Sequence, residues 1–302
     1  MVSVLAIAPM AGAQAETQTA VQDAWLVPVN GTSIIQDTGV ANRLVVGEVL
    51  RSLTQEIPAA ACFLHAGVNV EDATDNLMFG IDQLDELLEA LSIGDIFWGI
   101  EHPEERRKTI SEIEALRADW APVQRAGRAL LDDPANAEAA AGVAGAADPL
   151  MDRTYRLLTT LDGQYSSSAE ILKRDVMFIQ ISGRMAALNQ RLALHACLMS
   201  KEFDQALATE LSATSDMYHN SLHALMEGLP AMGILPPQTP GIAEKLSEIE
   251  GIWNVNQPML ALVASGEGLS PAQLHDLYYN LIDERVLILD LVYLYQDHSK
   301  VH

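Results

Sequence analysis

Residues 179–199 read IQISGRMAALNQRLALHACLM, and how this stretch folds decides the rest. Phe178, Ile181, Met185, Leu188, Leu192 and Met199 recur at helical spacing, with only His195 interrupting the row. Such a stripe marks one buried face of a long helix. Gly183-Arg184 and Asn189-Gln190-Arg191 lie beside that seam rather than opposite it. A bundle helix that needed charge only for solubility would carry it elsewhere.

Outward from this helix, the chain has 302 residues, enough for a substantial core or two ordinary domains. Aromatic residues are few, at 5%, and long stretches lack Gly and Pro. Few runs alternate as strands do, so the fold class is all-α. The apolar periodicity predicts helices over 32–65, 70–91, 103–131, 134–161, 168–200, 203–229, 242–265 and 271–298. Pro58 should kink the first of these and Pro122 interrupt the third. Asp133-Pro134 and Ser270-Pro271 have the residue types that open a helix.

SGRMAALNQRL resembles the signature helix of the PilJ-type sensor domain, a helical ligand-binding module of bacterial chemoreceptors, kinases and cyclases that is similar to nitrate-sensor domains. The family pattern, approximately Asn-Leu-Ala-Gly-Arg-Gln-Arg-Met-Leu-Ser-Gln-Arg, matches here at Gly183, Arg184, Leu188, Gln190 and Arg191. The resemblance implies a small anion gripped by two arginines. The second of those falls on Ala186 in this chain.

The second half echoes the first. A shift of 135 places Leu53, Gln55, Ala61 and Cys62 on Leu188, Gln190, Ala196 and Cys197; 138 pairs Leu84, Leu87 and Leu91 with Leu222, Leu225 and Leu229. Ser-Glu-Ile-Glu occurs at 111–114 and at 247–250. This predicts two tandem antiparallel four-helix bundle modules, 32–162 and 166–300, related by a pseudo-two-fold. Sensor modules of this kind commonly hold ligand where two signature helices meet in a dimer, so the tandem chain would build its own pseudo-dimer.

On that alignment Ala186 falls on Arg51 and Arg184 on Val49, so each copy keeps one arginine. Arg51 and Gln55 share a helix face, as do Ala186 and Gln190. A composite pocket would use Arg51 as main anchor, Gln55 and Gln190 as neutral hydrogen-bonding groups, and Arg184 in reserve. It would suit a ligand larger or less charged than nitrate. The other reading makes Arg51 and Arg184 solvated rims of a structural bundle.

The net charge of −23 argues against nucleic acid or anionic lipid as partner. An anionic ligand would need a local arginine cluster to overcome the mean field. Residues 1–15 are apolar, uncharged and end in Ala13-Gln14-Ala15, as a signal peptide does, and 16–31 form a lead-in segment. The missing basic residues point to a start inside a longer leader. This reading makes the protein periplasmic or secreted, without direct membrane insertion, and signalling through a transmembrane receptor, kinase or cyclase.

Cys62 and Cys197, the only cysteines, occupy equivalent positions; a disulfide and two buried thiols are both open. His219, His223 and Glu227 have the spacing of metal ligands on one helix face but lack a companion cluster, so a solvated face is expected and no metal. His195 reads as a core histidine. Phosphate loop, serine elbow and thiol nucleophile motifs are all missing, so neither an enzyme nor a cofactor is expected.

Overall fold

The computed structural model describes residues 39–165 and 171–300. The segments expected to be signal peptide and lead-in, and the start of the first expected helix, lie outside the described residues. Within them the chain is all-α. The helices are α1 (Val40–Ala66), α2 (Val70–Ile93), α3 (Arg107–Asp132), α4 (Ala137–Ala144), α5 (Ala147–Tyr165), α6 (Lys173–Lys201), α7 (Gln205–Glu227), α8 (Pro240–Ser265) and α9 (Pro271–Ser299).

Starts and stops follow local chemistry. Asp204 accepts hydrogen bonds from the Ala206 and Leu207 amides at the head of α7, and Ser270 forms a capping box with Gln273 ahead of Pro271. Thr239 caps α8, whose first residue is Pro240. Three expectations are corrected. α3 runs through Pro122 without interruption, because the lost hydrogen bond is only one among the many of a helix packed along its length. Asp133 ends α3 rather than opening the next helix, and Asn136 caps α4 through the Ala139 amide. The expected fourth helix is two, broken at Gly145-Ala146.

α1 and α6 form the centre, packing on each other more extensively than any other pair. Every residue from Arg43 to Leu64 is buried, and between Ser182 and Met199 only Arg184 is exposed. The expectation of one buried face on α6 is thus too small, since α1, α7 and α9 all pack against it. A Cβ on Gly183 would lie 2.5 Å from the Cβ of Glu48, so these two positions touch. Cys62 and Cys197 touch as well, joined in a disulfide with Cα atoms 6.2 Å apart. Both contacts sit fourteen positions apart on their helices, so α1 and α6 run parallel and in register over about 21 Å.

The remaining helices flank this pair side by side. α2, α3, α4 and α5 pack around α1, while α7, α8 and α9 pack around α6. The long helices recur in the same order in the two halves, the short α4 being extra in the first, and each half has an isolated antiparallel bridge between its second and third helices, at Asp95–Ile100 and Leu229–Ile234. The bridges fix the spacing there at 134, one helical turn short of the 138 inferred from leucines. A shift of four residues keeps the same helix face inward, so leucine matching could not separate the two registers.

Trp120 donates to Asp85 and Trp253 to His219, the same bond made twice with different acceptors. His219 is therefore engaged through Nδ1, while His223 lies 3.4 Å from Glu227. His195 is buried, as expected of a core histidine, and desolvation lowers its pKa to about 4.

Candidate functional site

The α1/α6 crossing carries an acid that sequence reasoning passed over. Glu48 is fully buried and ion-paired with Arg51 one turn further along α1. It fits only because residue 183 opposite is glycine: an added Cβ would stand 2.6 Å from the Glu48 Cγ. The signature glycine thus admits the partner helix's carboxylate. Glu48 Oε1 has no hydrogen-bond partner among the described residues. Burial raises the pKa of Glu48 to about 7, with Arg51 and then Arg184 pulling it back only in part. Its signal in the sequence is one carboxylate inside the run Leu44-Val45-Val46-Gly47-Glu48-Val49-Leu50, three residues before an arginine.

Above this pair lies a groove of about 770 Å³ between α5 and α7, with α6 along its base. Arg51 and Arg184 both line it, as do Glu48, Tyr155 and the methionines 151, 177 and 217. Arg51 donates to the Gln180 carbonyl at 2.8 Å, and desolvation lowers its pKa while Glu48 opposes the shift. Arg184 is exposed, its Nη2 2.8 Å from Met217 Sδ, and among the described residues no carboxylate lies within ion-pair distance of it. Arg191, at the same groove, is held by Asp148 at 2.9 Å and Glu210 at 3.7 Å.

The two glutamines do not join the arginines. Gln55 donates to the Ala147 carbonyl at 2.8 Å, and Gln190 to the Leu281 carbonyl at 3.1 Å. Each ties its central helix to the last long helix of its own half, and neither lines the groove. A shared helix face does not imply a shared outlet when the helix is surrounded.

Across the α1–α6 pair, between α2 and α9, the corresponding space is filled. Arg285 ion-pairs with Glu56 and donates to Ser52 at 2.9 Å, Asn76 reaches the Tyr278 hydroxyl, and Tyr278 stacks on Phe63. Met151, which lines the open groove, stands 134 positions before Arg285. One side of the α1–α6 pair is sealed by an ion pair, and the other is open.

The second half also contains a polar node with one residue from each helix. Glu284 accepts from Tyr218 at 2.7 Å, Asn189 at 2.9 Å and Asn256 at 3.0 Å. Burial raises its pKa to about 7 against these hydrogen bonds. Asn189, beside the groove in sequence, thus serves bundle assembly.

Fold and groove together define an all-α bundle with a charged cleft beside a parallel central pair. Residues 169–277 match the PilJ family model, described as the type IV pili methyl-accepting chemotaxis transducer N-terminal domain. The matched stretch, about a third of the chain, spans α6, α7, α8 and the first turns of α9. No curated protein matches the chain. No helix among the described residues is long and apolar enough to cross a membrane.

Proposed function

We propose that this protein is an exported, non-catalytic sensor-type binding protein. It takes a small anionic or polar molecule into the α5/α7 groove and passes the bound state to a membrane signalling partner. The observation that carries the reading is the meeting of Arg51 and Arg184 in one groove beside the α1/α6 crossing. The PilJ-type stretch supports a sensory role, and the Cys62–Cys197 disulfide supports an oxidising compartment. The similar helix order and paired bridges support two tandem modules, the second of them holding the family match. In this reading Arg184 is the ligand's first contact, Arg51 the deeper anchor, and Gln55 and Gln190 supports of the helices that carry them. Glu48 and Glu210 narrow the choice toward ligands of low net charge.

A second reading, a structural or adaptor bundle, draws on the pairing of Arg51 with Glu48, which leaves the deeper guanidinium already partnered. Thermal unfolding against a panel of small anions and polar metabolites separates the two. A ligand of the folded state at ~100 times its dissociation constant adds about 2.7 kcal/mol. The sensor reading expects a raised midpoint that Arg184→Ala and Arg51→Ala each remove; Arg184→Ala is the cleaner variant because Arg184 is exposed. No shift with any compound favours the adaptor.

A further inference from the structure

Among the described residues no helix covers one face of α9, and two rows of residues run along it; the only ion pair from this face to another helix joins Asp290 to Lys245 of α8 at 3.6 Å. Tyr279, Val286 and Tyr293 recur every seven positions and are 50%, 50% and 38% exposed. Beside them Asp276, Asp283, Asp290 and Asp297 recur with the same period. All four aspartates are exposed. Ile282 and Leu289 edge the apolar row, half-buried against the core.

The apolar row begins and ends in a depression. Tyr279 shares one of about 370 Å³ with Val255 and Met259 of α8. Tyr293 shares another, of about 410 Å³, with Ile96, Phe97 and Trp98 of the α2–α3 connection. Ile96 and Phe97 are 84% and 80% exposed. The two tyrosines are fourteen residues apart, so the depressions lie about 21 Å from each other along α9. A seven-residue apolar period is the repeat by which one helix packs along another.

We infer that this face of α9 docks an amphipathic, basic helix of a partner protein. Its apolar side would lie on Tyr279, Val286 and Tyr293, and its lysines or arginines would meet the aspartate row. Charge selects this occupant. Two copies of the chain would set one aspartate row against another, at a net charge of −23 each. The inference does not rest on the ligand groove, which lies on the opposite side of the α1–α6 pair.

The probe is a synthetic helix about three heptads long, with leucine at its seam positions and lysine beside them, read by fluorescence anisotropy. Its controls are a scrambled peptide of the same composition and a version with glutamate for lysine. The full chain should bind the probe at least ~10-fold more tightly than either control, a gap of about 1.4 kcal/mol. Val286→Glu should remove that gap, and Asp290→Lys should weaken binding with a smaller salt dependence. Both residues are exposed, so unchanged thermal midpoints will show that the variants fold. Equal binding of probe and scrambled peptide would reduce the effect to bulk charge and overturn the inference. Indifference to Val286→Glu would also overturn it. So would a self-associated chain that Val286→Glu makes monomeric, because a second copy would then be the occupant.

Discussion

Glu48 is the residue on which the interior is most finely balanced. A carboxyl group whose pKa is about 7 in the folded chain, against 4.5 ordinarily, holds a proton that the unfolded chain gives up. Its contribution to stability is complete below about pH 4.5, declines as pH rises, and is gone above about pH 7. Glu284 acts in the same direction, and His195 in the opposite one, losing stability as pH falls from 6.5 through about 4. Comparing Glu48→Gln with wild type cancels both of these. The difference between the two unfolding free energies should move toward the variant from pH 4.5 to pH 7.5, by on the order of 1–3 kcal/mol. Parallel curves would mean that the Arg51 pair keeps Glu48 ionised throughout. Arg51 and Arg184 were legible in the sequence because arginine beside an apolar seam is conspicuous. Glu48 was not, because its place depends on the absence of a side chain at residue 183, which is on another helix.

At the scale of the element, helix positions followed from periodicity and capping residues, and boundaries came within a few residues where a cap was plain, as at Ser270. What periodicity misjudged was burial. A helix surrounded on all sides shows only a weak stripe, so α1 and α6 read as ordinary amphipathic helices although they are the core of the fold. Equivalent cysteines could not by themselves predict a bridge; the parallel, in-register pairing of α1 and α6 brings Cys62 to Cys197. That bridge closes a loop of 135 residues, for which chain entropy alone gives roughly 4–5 kcal/mol. Cys62→Ser with Cys197→Ser should therefore lower the unfolding free energy by about 2–5 kcal/mol, the lower part of that span reflecting structure retained by the unfolded chain. A denaturant titration reads this directly. A loss under about 0.5 kcal/mol would show that helix packing already holds the pair in register.

For the whole molecule, the proposed duplication has a consequence that a single central helix could not have. α6 is buried on the side facing α1 by residues such as Ala186, Ala193 and Cys197, all inaccessible to solvent. Residues 171–300 alone would expose that surface along about 21 Å of helix. If α1 stands where a second α6 once stood, the fragment should repair the loss by pairing with itself, parallel and in register, with Cys197 meeting its own copy. Small residues at the seam favour this, since Gly183 and Ala186 in both chains let the backbones approach closely. The fragment, expressed under oxidising conditions, should elute with the mass of a dimer and run as a covalent dimer on a non-reducing gel. Cys197→Ser should leave the dimer intact but separable at low concentration, as expected when mass action governs stability. A folded monomer, or a dimer insensitive to Cys197→Ser and uncrosslinked without it, would mean that α1 and α6 meet by a contact particular to this chain. The pseudo-two-fold would then describe only the order of the helices.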